Sequence, residues 1–342
     1  MSYKDIISEN TKISQVNWWP HYAYHYTDVS NAVSILESGM LYSRVRAKEL
    51  AVMKNDNASR QVIDMTFSGS TSYVRFYFRP LTPTQFHNEG FKHVECRYDN
   101  DPNANVPVPV FLFFNLDRLL TEPNVCFSEG SEAGKGSPIL KGEEAFASLD
   151  FKMIYNNGPI SSQNEDEKKR EKSLRHSEIL YPDAYPIRNS LAGVFCRNSE
   201  EKMTLLNLLK DIDYSLFSFW LPHIRVINKD LFYNNGLYIS ETSLHDSDFS
   251  ISFSDSYPRR KYSKNVIRDL NVKTLVVFEW NNENNQILYK REFECIINYF
   301  DARPLIFSEK PEIDGATELS VKVYIEEHLM SYKRYSLLNV VY

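Results

Sequence analysis

The chain has 342 residues, 42% of them hydrophobic and 25% charged, with a formal net charge of −6. These values describe a globular protein of one large domain or two ordinary ones, and they exclude a disordered or fibrous chain. The acidic balance excludes a uniformly basic nucleic-acid coat, and no apolar run is long enough to span a membrane as a helix. No signal peptide opens the chain, so a cytoplasmic location without a membrane partner is expected. The cysteines Cys96, Cys126, Cys196 and Cys295 lie far apart, with neither CxxC nor Cys/His ligand spacing, so no bound metal is expected. Tyr (22) and Phe (21) are dense against Gly (11), enough for stacking surfaces as well as a core.

Residues 1–20 read as a polar lead-in ending at Trp18-Trp19-Pro20. Tyr24-His25-Tyr26-Thr27 then reads as an aromatic strand end running straight into a short amphipathic helix. Val29, Ala32, Val33 and Leu36 fall on one face, Asp28 or Ser30 can cap its start, and Gly39 stands where it ends. A strand end fixes its side chains in place, and the helix N-terminus beside it offers free N–H groups to an anion, a workable cradle for a dinucleotide. A satisfied core histidine is the alternative. Residues 42–66 are polar and basic, with a helix expected over 44–50. Nine basic side chains face five acidic ones between Met40 and Arg97, either a basic lip for a phosphate-bearing ligand or a solvated face.

Residues 73–78 make an aromatic, β-branched strand that Pro80 and Pro83 stop, and 108–114 make an almost wholly apolar one. The Gly-rich loop 128–137 fails as a phosphate loop. Gly130 and Gly134 stand one residue too close, and Gly136 rather than Ser or Thr follows Lys135. Residues 164–176 carry acids first and bases later, as suits a helix dipole, and read as a solvated helix or loop. Glu178 opens the otherwise apolar strand 178–182, which is costly unless the carboxylate has a partner or a task. A strand over 192–196 and a helix over 200–209 follow. From residue 212 the texture changes to strands and a helix. The aromatic run 217–222 comes first, then a turn at Asn234-Asn235-Gly236 and a hairpin of 272–280 with 286–297, and a helix is expected over 319–330. The domains expected are 1–211 and an accessory region, 212–342.

This ordered series resembles the DarT family, bacterial ADP-ribosyltransferase toxins that use NAD to modify nucleic-acid bases. The resemblance is carried by His25-Tyr26-Thr27 with Asn31 and Ile35-Leu36-Glu37-Ser38-Gly39, by Phe76-Tyr77-Phe78-Arg79-Pro80 with Pro83, by Phe127-Ser128-Glu129-Gly130, and by Arg175-His176-Ser177-Glu178-Ile179-Leu180-Tyr181-Pro182-Asp183. It implies an α+β fold: an ADP-ribosyltransferase-like core of two mainly antiparallel sheets around an NAD cleft over residues 20–210, with a C-terminal α/β extension. It also implies that Glu178 stabilises the cationic ribose and takes a proton from the acceptor, with His25 and Glu178 facing one cleft. His25, Tyr26, Thr27 and Asn31 would hold NAD, Tyr77 would give a stacking face, and Arg60 would orient the pyrophosphate. On the acceptor side stand Lys168, Lys169, Lys172 and Arg175, with Ser131 where relatives often carry His or Asn. Departures are Leu81 in place of a usual Arg and Arg75 in place of a common Pro. The function implied is ADP-ribose transfer to a base of single-stranded DNA or RNA by a toxin of a toxin–antitoxin or anti-phage defence system, with a cognate antitoxin as partner. The alternatives are a protein side chain as acceptor, or a non-catalytic binding module on the same fold.

Overall fold

The computed structural model describes residues 1–56, 70–97, 101, 104–130, 137–160, 163–245, 248–254, 269–308 and 312–337. Among them the chain forms α1 (Tyr3–Ile13), β1 (Tyr22–Asp28), α2 (Val29–Ser38), β2 (Met40–Tyr42), α3 (Arg44–Glu49), β3 (Tyr73–Tyr77), α4 (Pro83–Asn88), β4 (Pro109–Asn115), α5 (Leu116–Leu120), β5 (Cys126–Ser128) and β6 (Ile139–Leu140). Next come α6 (Glu143–Ala147), α7 (Phe151–Ile154), α8 (Glu165–Leu174), β7 (Glu178–Pro182), β8 (Ala184–Pro186), β9 (Leu191–Cys196), α9 (Ser199–Ile212), α10 (Tyr214–Trp220) and β10 (Ile224–Val226). The last elements are β11 (Ile239–His245), β12 (Asp248–Phe253), β13 (Asn271–Asn281), β14 (Ile287–Asn298), β15 (Leu305–Phe307), β16 (Glu318–Ile325) and β17 (His328–Ser336).

The step from β1 to α2 follows from its residues. The Asp28 side chain accepts from Ser30 N and caps α2, while Gly39 takes the left-handed conformation (φ 69) that ends it. Val29, Ala32 and Leu36 are the buried face. β1 lies inside an eight-stranded sheet of order β10-β9-β4-β1-β3-β7-β5-β6, antiparallel except for the parallel β9–β10 pair. β4, the apolar run, is buried along all but its last residue. β2 and β8 form a separate two-stranded ribbon, and the cleft described below lies between that ribbon and the large sheet. The α+β architecture holds.

Several expectations change. The lead-in contains α1, whose Ser2 makes a capping box with Asp5 and whose Ile6 and Ile7 enter the core. The helix expected over 319–330 is the β16–β17 hairpin. Leu319, Val321, Val323 and Ile325 are buried, the period of two of a strand. Beyond β10 the described residues contain strands and no α-helix, so the helical part of the extension expected from residue 212 is α10.

Residue 211, the expected domain end, falls within α9, and the elements after it continue to pack on the first sheet. Trp220 Nε1 donates to Leu36 O at 3.0 Å, and Trp19 Nε1 donates to Asp230 O at 3.1 Å. A buried charge cluster joins the two regions: Arg197 pairs with Glu201, sits 3.8 Å from Glu89 and lies 3.7 Å above the Tyr238 ring. Gly90 is required here, because a Cβ on it would meet Asn235 O at 2.1 Å.

Candidate active site

A cleft of about 230 Å³ opens where β1, β3 and β7 meet α2, β2 and α3. Its walls include His25, Tyr26, Thr27, Asn31, Tyr77 and Glu178, so residues up to 153 positions apart converge on one cavity. The sheet register explains part of this. Tyr77 on β3 stands directly opposite Glu178 on β7, and Glu178 stands opposite Ser128 on β5. Cross-strand partners project to the same face, which puts phenol and carboxylate side by side.

Glu178 is 1% exposed. Its carboxylate accepts from Arg75, Nε to Oε2 at 2.6 Å and Nη2 to Oε1, a fork-to-fork pair that gives the buried charge a partner. Burial, and after it the Glu178 charge, push the Tyr77 phenol up to about 12. His25 Nδ1 lies 3.0 Å from Arg75 O, and a carbonyl can only accept, so Nδ1 carries the proton and Nε2 is left as an acceptor. Burial lowers the His25 pKa and favours this neutral form.

His176 is neutral for the same reason. Burial holds it at about 4, Thr84 N donates to its Nε2 at 3.2 Å, and its Nδ1 donates to Lys172 O at 2.9 Å. The ring thus ties the start of β7 to α4. Arg44 lines the opposite wall, paired with Asp56, and Lys48 lies 3.4 Å from the same carboxylate.

Other expected residues take different places. Asn31 lines the cleft, yet its amide pins the segment beside it: Nδ2 donates to Asn55 O at 2.7 Å, and Oδ1 accepts from Lys54 N and Asn55 N at 2.8 and 3.1 Å. Tyr26 packs against Phe111, and its buried hydroxyl feels the Glu89 charge. Arg175, expected to touch nucleic acid, is turned inward. It is 7% exposed, pairs with Glu171 and donates to Gly158 O at 2.6 Å. Lys168 and Lys169 lie on α8 in surface pairs with Glu165 and Asp166, and Lys172 is exposed. Arg60 and Ser131 fall outside the described residues.

The basic lip largely dissolves. Arg79 and Lys92 are buried, held at about 9 and about 7 chiefly by desolvation, while Arg44, Arg46, Lys48 and Arg75 are ion-paired. Sequence reasoning overlooked Arg75, Arg44 and His176 as cleft residues. A signal existed for the first: Arg75 is a charge in an aromatic strand, as Glu178 is in an apolar one. Among the described residues no group of three His, Cys, Asp or Glu side chains could hold a metal, and no helix is long and apolar enough to cross a membrane.

The chain resembles known proteins as follows. The DarT family model, described as ssDNA thymidine ADP-ribosyltransferase, matches residues 24–232. Similar solved structures include Thermus sp. 2.9 DarT in complex with NAD+, at 16% identity over 63% of this chain and 98% of that one, TM-score 0.46. Thermus sp. 2.9 DarT in complex with ADP-ribosylated ssDNA matches at 17% identity over 63% and 97%, TM-score 0.46. Thermosipho africanus DarTG in complex with ADP-ribose matches at 15% identity over 65% and 52%, TM-score 0.45. No curated protein matches the chain. With the family model spanning well over half of its length, this chain belongs to the DarT family of ADP-ribosyltransferases.

Proposed function

We propose that the chain transfers ADP-ribose from NAD to a base of single-stranded DNA, with the thymine of thymidine, the nucleoside in the family's description, as the first candidate. The observation that carries this reading is Glu178, a buried carboxylate in one cleft with His25 and Tyr77. Breaking the bond between nicotinamide and ribose leaves positive charge on C1′, and a fixed carboxylate in a desolvated site stabilises it. Nicotinamide leaves neutral with the bonding electron pair. A base nitrogen attacks C1′, loses its proton to Glu178 and forms the new glycosidic bond. His25 Nε2 accepts a hydrogen bond from the nicotinamide carboxamide or a ribose hydroxyl, and Thr27 supports the same half of NAD. The Tyr77 ring offers a stacking face. Arg60 orients the pyrophosphate, and Ser131 belongs to the acceptor side.

Bases in a duplex are stacked and paired at their edges, so a single strand is the substrate such a site can reach. Such a modification stops templating. We therefore place the protein as a toxin held in check by an antitoxin, with the region after 212 as an accessory surface for the target or that partner.

Incubation with NAD and short DNA and RNA oligonucleotides of each base tests the reading. The expected outcome is the mass of one ADP-ribose added to a single-stranded, thymidine-containing DNA. Modification of RNA alone, or of added protein alone, would replace the acceptor assignment. Absence of both transfer and nicotinamide release would leave a binding module.

A further inference from the structure

The Arg75–Glu178 pair poses a chemical difficulty for the reaction just proposed. Both oxygens of the carboxylate accept from one guanidinium, and Glu178 is 1% exposed, so the pair is shielded from water on the carboxylate side. A carboxylate neutralised in this way stabilises a nascent ribose cation poorly, because that cation would form beside a charge of its own sign. The Arg75 side chain differs from its partner in being 29% exposed, and Arg75 lines the cleft with Thr71, Tyr73 and Tyr77. Its backbone carbonyl meanwhile holds His25 Nδ1 at 3.0 Å. One residue therefore touches the proposed transfer residue by its side chain and a proposed NAD-holding residue by its main chain.

We infer that Arg75 is a self-capping positioning residue: it closes Glu178 in the substrate-free protein and exchanges onto a phosphate of the dinucleotide when NAD enters. The inference rests on the reading of Glu178 as the transfer residue. A guanidinium matches phosphate and carboxylate with the same planar fork, so the exchange replaces one bidentate pair with another. The long side chain can turn about its own bonds while the β3 backbone, and with it the His25 contact, stays in place. Phosphate then acts as the key that uncovers the carboxylate. A donor with the nicotinamide–ribose bond but no phosphate would leave the cap shut.

The test compares NAD with nicotinamide riboside, which has the same scissile bond and no phosphate, in wild type, Arg75→Lys and Arg75→Met. Nicotinamide release is measured at one fixed pH for all three proteins. For Arg75→Met the expected result is a KM for NAD raised about tenfold, and release from nicotinamide riboside at least several-fold faster than in wild type. Arg75→Lys, which keeps the charge and loses the fork, should fall between them. Equal slowing with both donors, or no change with either, would overturn the inference.

A measurement on wild type alone stands beside these variants. The Arg75 Nε–H resonance should move on adding ADP-ribose and stay put with nicotinamide riboside, and an identical response to both would count against exchange. Glu178→Gln separates the two layers. If it retains wild-type NAD turnover, the transfer reading fails, whereas loss of turnover together with donor-independent Arg75 effects removes the cap alone.

Discussion

Glu178 and His176 stand two residues apart and meet the cost of burial in opposite ways. Glu178 keeps its carboxylate against the Arg75 guanidinium, and His176 stays neutral with both ring nitrogens bonded. On the proposed mechanism, Glu178→Gln preserves shape and removes the charge, so transfer should fall by about 10²–10³ while NAD affinity by equilibrium titration changes little. The same substitution should relieve growth arrest in an expressing bacterium, and arrest that persists would trace to some other chemistry. His176 gives a pH signature. Its folded value is about 4, below the ordinary value of about 6.5. Between those two values the unfolded chain binds the proton and the folded one does not, so stability rises with pH across the window and is lost as pH falls through it. The full effect is on the order of 3 kcal/mol. Urea midpoints taken from pH 4 to 6.5 should climb less steeply in His176→Gln than in wild type. Some slope should remain, since His25 is lowered in the same direction.

Elements bring these residues together, and some of them depend on a single tether. The segment after α3 walls the cleft through Met53, Asn55 and Asp56, and the Asn31 amide makes three bonds to it. Asn31→Ala should release that wall, costing about 1–3 kcal/mol of local stability. Steady-state kinetics should then show KM for NAD raised about tenfold with kcat nearly unchanged. A fall confined to kcat would instead give Asn31 a direct part in the chemistry. Much of this architecture was legible before the structure, where local signals agree. The Gly39 stop and the apolar run of β4 each point one way, the cap of α2 was narrowed to Asp28 or Ser30 and is Asp28, and Glu178 in an apolar strand announced a task or a partner. What stayed hidden is non-local or lacks a turn signal. The β16–β17 hairpin turns at Glu326-Glu327, with Glu326 at φ 53, and no Gly, Asn or Pro marks it. Glu, Leu and Met there favour a helix, and only the alternation of buried side chains reveals the strand. The Arg75–Glu178 pair spans 103 residues, so its two lone charges could be noticed separately and not joined.

At the scale of the whole molecule, one core runs through both regions, from Ile6 to Met330, and strands β11 and β17 dock on α9 through polar bonds. Lys333 Nζ donates to Glu200 at 2.8 Å, Thr242 Oγ1 donates to the same carboxylate at 2.8 Å, and Asn207 Nδ2 donates to Tyr332 O at 2.9 Å. On the proposed function, charge sets the terms on which so joined a body would meet DNA. A net −6 repels a polyanion at long range, and most cations between Met40 and Arg97 are paired or buried, so attraction must come from a local patch. Among the proposed acceptor contacts, α8 offers Lys168, Lys169 and Lys172, and its C-terminal turn reaches the cleft through His176. Among the described residues the first two cations make surface pairs with Glu165 and Asp166. Such pairs are worth about 0–1 kcal/mol and yield readily to phosphate. Each phosphate contact on a single strand adds about 0.7 to the slope of log affinity against log salt. Replacing Lys168, Lys169 and Lys172 together by Gln should therefore flatten that slope by about 2 and weaken oligonucleotide binding at low salt, with NAD affinity unchanged. Arg175 is left intact in this test because its pair with Glu171 and its bond to Gly158 O hold the loop to the helix, so its loss would perturb the fold rather than report on DNA. An unchanged slope in the triple variant would move the DNA path off α8, and equal modification of duplex and single strand would remove the requirement for unpaired bases.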